Sequence, residues 1–206
     1  AHIDRCVDWP DIDRGVLYVT PQCSGAKKDD ILHLYLFDDD NIIADVTFSP
    51  GETIEIKIDN PKFWSPSNPH LYDYTVNLLR GKKLLDIVRC YTALRKMDVV
   101  EVPSGAKYLS LNGTPFLACG VKDDSWWPDG LCTPPSDAAL RNDLLQVRTF
   151  GFNAVLRSGA SPARWKYWCD VLGLVAISEV PEGVKVEDLP FRPYFNYSSV
   201  ESATIR

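Results

Sequence analysis

The sequence lacks any pattern that would hold a metal. Its six cysteines (Cys6, Cys23, Cys90, Cys119, Cys132 and Cys169) show no CxxC or Cys/His spacing, and its three histidines, His2, His33 and His70, all fall in the first third. A zinc site is therefore not expected, and the even cysteine count leaves disulfides and packed thiols equally open. No run approaches the roughly 20 apolar residues of a membrane span. The N-terminus has no signal-peptide pattern, although a processed secretory chain would look the same. A formal net charge of -6, with Lys and Arg scattered, offers no basic stripe to nucleic acid or an anionic membrane. There is no Gly-rich phosphate loop, no G-x-S-x-G elbow and no nucleophile beside a histidine, so no cofactor is implied.

What is present divides into two kinds of chain. Residues 1–97 carry short runs rich in β-branched and aromatic residues: Val16 to Val19, Ile31 to Phe37, Ile42 to Phe48, Thr53 to Ile58, Tyr72 to Leu79 and Leu84 to Tyr91. In Ile54-Glu55-Ile56-Lys57-Ile58 the isoleucines fall on one face and the charges on the other, the period-2 signature of a half-buried strand. Turn clusters at Asp38 to Asn41, Ser49-Pro50-Gly51 and Arg80-Gly81-Lys82 separate the runs. About seven strands at this spacing predict an antiparallel β-sandwich of immunoglobulin type. Trp64 is expected in its core or at a corner.

Residues 98–181 change period. Asn112-Gly113 predicts a hairpin turn between Lys107 to Leu111 and Phe116 to Leu117. Beyond it, Leu117 to Val121, Phe152 to Leu156 and Leu174 to Ile177 are apolar runs without alternation, as buried parallel strands require. A helix introduced by Pro134, Pro135 and Ser136 puts Leu140, Leu144 and Val147 on one face. A second, with Ser161 as N-cap and Pro162 at the first helical position, carries Trp165, Trp168, Cys169 and Leu172 and stops at Gly173. Three strands joined by two helices make two right-handed βαβ units, an α/β arrangement that suggests either a barrel or an open doubly wound sheet. Residues 182–206 read as a polar, Pro-rich tail or arm. Asn196-Tyr197-Ser198 in it is a glycosylation sequon, consistent with an extracellular or secretory location.

The segments NPKFWSPSNPHLYDYTVNLL (60–79), YLSLNGTPFLACGV, GFNAVLRS and YWCDVLGLVAISEVP together resemble glycoside hydrolase family 2, which contains β-galactosidases, β-glucuronidases and β-mannosidases. The resemblance implies an immunoglobulin-like domain followed by the start of a (β/α)8 barrel, and covers the chain to about Pro181. In the family, two catalytic glutamates lie at the ends of the fourth and seventh barrel strands. This chain, with about three strands, has neither, and Glu179 is not one of them. The family also has an arginine and a histidine after strand two that help hold the sugar. Here that region reads Leu156-Arg157-Ser158-Gly159-Ala160-Ser161, with the arginine shifted by one and no histidine.

No residue is assigned to catalysis. Glycoside hydrolysis needs two carboxylates about 5–9.5 Å apart across one bond, and adjacent Asp123 and Asp124 point apart. Candidate carbohydrate-binding residues at the strand C-terminal ends are Asp123, Trp126, Trp127, Asp129, Arg157 and Glu179, because indoles stack on sugar rings and the polar groups would anchor hydroxyls. Trp126 and Trp127 are weighed against simple packing, and Arg157 against an ion pair with Asp123 or Glu179. The expected role is a catalytically incomplete family 2-like module, a structural or interaction subunit of a larger assembly. Alternatives are one chain of an active exo-β-glycosidase whose glutamates lie elsewhere, and a carbohydrate-binding module. Three parallel strands leave unpaired edges and an uncovered face, so partner chains that complete or cover the barrel are expected, with carbohydrate as a further ligand.

Overall fold

The computed structural model describes residues 1–101, 103, 105–124, 126–157 and 161–178. It divides into two compact units, one of Ala1–Phe63 with Leu71–Lys96, the other of Trp64–His70 with the described residues from Met97 onward.

The first unit holds β1 (His2–Asp11), β2 (Val16–Ser24), β3 (Asp30–Asp38), β4 (Asn41–Phe48), β5 (Ile54–Lys57), β6 (Tyr72–Arg80) and β7 (Lys83–Thr92). They form two antiparallel sheets, ordered β1-β2-β5 and β4-β3-β6-β7. Period-2 alternation aims Leu32, Leu34, Leu36, Tyr72, Tyr74, Val76 and Leu78 of one sheet at Leu17, Val19, Ile54 and Ile56 of the other, in one shared core. Turns fall where expected: Asp39 takes φ 52° in the β3–β4 hairpin, and Gly81 takes φ 58° between β6 and β7. Strand β1 has no counterpart among the expected runs. Its sequence HIDRCVDWPD alternates poorly and only Ile3 is fully buried, so its ten residues are held by pairing with β2, a register no local pattern encodes. Among the described residues of this unit, one charged side chain is deeply buried. Asp30, 2% exposed, takes both guanidinium contacts of Arg80 at 2.7 and 2.8 Å and the Lys27 backbone N–H at 2.7 Å.

The second unit contains an antiparallel set, β8 (Met97–Glu101), β9 (Lys107–Leu111) and β10 (Thr114–Pro115), then β11 (Gly120–Asp123), α1 (Asp137–Thr149), β12 (Ala154–Arg157), α2 (Ala163–Leu172) and β13 (Val175–Ser178). Asn112-Gly113 forms the turn with φ 53° and 80°. The returning strand is Thr114–Pro115 rather than Phe116–Leu117, and β8, unforeseen, pairs with β9. Strands β11, β12 and β13 are parallel, in that order. The first begins later than expected because the Asn153 side chain occupies its approach: Asn153 Oδ1 accepts from Cys119 N at 2.8 Å, and Nδ2 donates to Leu117 O at 2.9 Å. Leu117 is consequently exposed rather than in the sheet. At Gly120 a Cβ would stand 2.5 Å from the Ala154 carbonyl oxygen, so only glycine fits this ladder position.

Both helices pack on one side of this sheet through Leu140, Leu144, Trp165, Cys169, Val155 and Leu174. The first helix starts after Ser136 as expected, with the Ser136 hydroxyl accepting from Ala139 N at 3.1 Å, and Gly173 ends α2 at φ 73° as the sequence predicts. Ser161 does not cap α2. Pro162 holds the cap position without a side-chain bond, and the Ser161 hydroxyl meets Ser178 Oγ at 2.6 Å instead. The helices are clamped at the start of α1, where Asp137 takes Arg164 at 2.5 and 2.6 Å and the Trp168 indole at 2.9 Å. Trp64 is the larger correction. It is fully buried in this second unit, and its indole N–H donates to the Asp170 carbonyl at 2.8 Å. That carbonyl is one of the last four of α2, which have no partner inside the helix. Asn112 holds the Trp64 carbonyl at 2.9 Å and Arg148 the Pro66 carbonyl at 2.6 Å.

Arg80 holds the Asp30 carboxyl down from its ordinary 3.8 to about 2. The unfolded chain therefore takes up the proton first as pH falls, so this pair's stabilisation is complete above 3.8 and lost towards 2. Melting temperatures recorded across that interval should fall, and should fall less steeply in Asp30→Asn, with Asp137 and Asp86, whose carboxyls are also held down, contributing to the remainder. Trp64→Phe should cost about 1–2 kcal/mol in urea unfolding by orphaning a buried carbonyl.

Candidate functional site

The C-terminal ends of the three parallel strands bring Asp123, Arg157 and Ser178 into one row, in register as Cα partners. Alternation decides what each side chain meets. On β12, Val155 lies in the helix-packed core, and Arg157, two residues on, shares its side. Only 5% of Arg157 is exposed, with its guanidinium carbon 5.6 Å from the centroid of the Trp165 ring on α2. Asp123 Oδ2 accepts from the Trp165 indole N–H at 2.8 Å and faces Arg157 Nη1 at 3.5 Å. A buried guanidinium needs such a partner, because an uncompensated charge there is strongly destabilising. Asp143 on α1 is the nearby group that registers the cost. Burial, and then the charge of Asp123, push its carboxyl above the ordinary value.

The opposite side of the sheet is different. Ala154 and Leu156 of β12, with Gly120, Val121 and Lys122 of β11 and Ile177 of β13, line a shallow depression of about 200 Å³. Ile177 remains 38% exposed. In a strand, moving a side chain by one position moves it to the other face. Alternation therefore separates two neighbours: Leu156 lines the depression, while Arg157 stands under α2. Of the roles open to Arg157, the structure draws the ion pair with Asp123.

The other candidates are placed less centrally. Trp127 and Leu131 close a tight loop, with backbone bonds of 2.7 and 3.0 Å in the two directions. A Cβ on Gly130 within it would lie 2.2 Å from the Thr133 carbonyl oxygen. Trp127 is half-buried and Asp129 exposed. Trp126 is 67% exposed, so it does not serve as the packing residue that its size favoured. Asp124 is engaged with Lys122 at 3.3 Å. Glu179 and Asn196 lie outside the described residues. The structure brings Asp123 and Arg157 together and leaves Trp126, Trp127 and Asp129 in the loop beyond β11. Trp165 was legible only as helix packing. The signal for more was its N–H, since a fully buried indole takes an acceptor.

Comparison with known proteins identifies the type of chain. Residues 28–95 match the model of glycosyl hydrolases family 2. A β-galactosidase 2 of Enterobacter cloacae is 32% identical over 130 residues, covering 62% of this chain and 12% of that protein. A second β-galactosidase of the same species is 29% identical over 187 residues, covering 82% and 17%. In fold, the chain is similar to a β-D-glucuronidase of Dictyoglomus thermophilum, with a TM-score of 0.70 at 20% identity over 86% of this chain and 29% of that one. The chain is thus similar to a fragment of glycoside hydrolase family 2, and spans less than a fifth of the length of these two β-galactosidases.

If Asp123 balances Arg157, Asp123→Asn should lower stability by about 3 kcal/mol and shift Trp165 emission. Trp126→Ala, at an exposed loop position, should stay within about 0.5 kcal/mol. Urea unfolding followed by fluorescence separates the two.

Proposed function

We propose that this chain is a scaffold module of a family 2-type glycosidase: an immunoglobulin-like sandwich joined to the first βαβαβ segment of a (β/α)8 barrel, without catalytic groups of its own. The observation that carries this reading is the Asp123–Arg157–Trp165 cluster. The polar groups best placed at the strand ends are bound to each other and turned to the helix side, so their work is structural. The face around Leu156 and Ile177, uncovered among the described residues, is then the surface on which further barrel strands are laid down. Exposed Trp126 and the half-buried Trp127, with Asp129, stand in the loop beyond β11 and would contact carbohydrate only once that barrel is assembled.

The second reading, in which the chain is one part of an active exo-β-glycosidase, is favoured by its 32% identity to a β-galactosidase. The same experiment addresses both. Aryl β-galactoside and β-glucuronide are offered to the 206-residue chain alone, then to the chain mixed with a polypeptide carrying the remaining barrel strands of a family 2 enzyme. No turnover alone is expected, with complex formation in the mixture measured by native mass spectrometry. Turnover by the isolated chain would overturn the scaffold reading, and turnover in the mixture alone would make the second reading the better one.

A further inference from the structure

The sandwich contains a cluster of reactive groups that no carbohydrate role uses. Strands β1 and β7 are each the outer strand of their own sheet, and they meet along the seam between the sheets, where the Ile3 N–H donates to Asp86 Oδ2 at 2.7 Å. Three residues beyond Ile3 is Cys6, and four beyond Asp86 is Cys90. Both thiols are half-buried against the same core. Tyr74, the register partner of Cys90, donates its hydroxyl to Asp8 Oδ1 at 3.2 Å. The seam thus sets Cys6 of the first strand and Cys90 of the last at the same level, against one core.

We propose that Cys6 and Cys90 are a disulfide-forming pair that latches β1 to β7, taking its oxidising equivalent from a small disulfide of the glutathione type. The two thiols are not equivalent. Interaction with Cys6 holds the Cys90 thiol below its ordinary value, whereas interaction with Cys90, and then burial, pushes the Cys6 thiol up. Cys90 is therefore the attacking thiolate. Its sulfur bonds to one sulfur of glutathione disulfide and expels a glutathione thiolate, which takes up the proton that Cys90 lost. Cys6 then gives up its proton and attacks the Cys90 sulfur of the mixed disulfide, releasing the second glutathione. Two protein thiols are oxidised and one small disulfide is reduced to two thiols. The loop so closed runs through all seven strands, the arrangement in which a cross-link most restricts the unfolded chain. It also secures β1, whose residues are weakly buried.

The test uses the full chain, reduced and then equilibrated with glutathione disulfide, read by non-reducing peptide mapping and thermal unfolding. A Cys6–Cys90 linked peptide is expected, with the melting temperature raised by at least about 5 °C and restored on reduction. Cys6→Ser should give a glutathionyl adduct at Cys90, no linked peptide and no rise, while Cys23→Ser should leave the link intact. Linkage of either cysteine to Cys23, or glutathionyl adducts on both Cys6 and Cys90 in the unsubstituted chain with no link between them, would overturn the proposal. The map of the unsubstituted chain decides the matter even if a variant fails to fold.

Discussion

The second unit depends on the side to which each residue of one four-residue strand points. In β12, Val155 and Arg157 face the helices and Ala154 and Leu156 face away. Burying Arg157 beneath α2 requires an anion, and Asp123 supplies it from the adjacent strand at the same level of the sheet. The same carboxylate takes the Trp165 indole proton, so one oxygen ties β11, β12 and α2 together. A side chain engaged in this way orients its neighbours and excludes water from the helix layer. It is not free to meet a ligand on the other face.

That other face is left open among the described residues. A parallel sheet is buried on both sides in stable α/β proteins, and of the described residues the two helices cover one side while Leu156 and Ile177 line a depression on the other. The second unit strengthens its covered side through contacts remote in sequence. Trp64 satisfies a terminal carbonyl of α2 from more than a hundred residues away, and Arg148 and Asn112 hold the backbone on either side of it. Asp137 clamps Arg164 and Trp168, which joins the two helices at their N-terminal ends.

In the first unit the corresponding weak point is an edge. Strand β1 lies at the border of its sheet with little apolar burial. Its ties include the ladder to β2, the bond from the Ile3 N–H to Asp86 and the bond from the Tyr74 hydroxyl to Asp8. The buried Asp30–Arg80 pair does analogous work between β3 and β6.

Most strands of the sandwich, both helices, the helix start at Ser136, the Gly173 stop and the Asn112-Gly113 turn were legible in the sequence, because each is decided by residues within one or two turns of chain. The motif order likewise showed the likeness to family 2. Arg157 was legible as a polar residue at a strand end, but only tertiary structure showed which way it faces, since that depends on where the helices pack. Strands β1 and β8 escaped notice because their stability comes from pairing rather than periodicity. Trp64 was assigned to the wrong core because a large indole looks the same in any interior, and its destination depends on a carbonyl that α2 leaves free. The sequence by itself determined the local elements. Which side chains share a charge, a proton or a face was decided by contacts between residues far apart in the chain, where no local pattern records the choice.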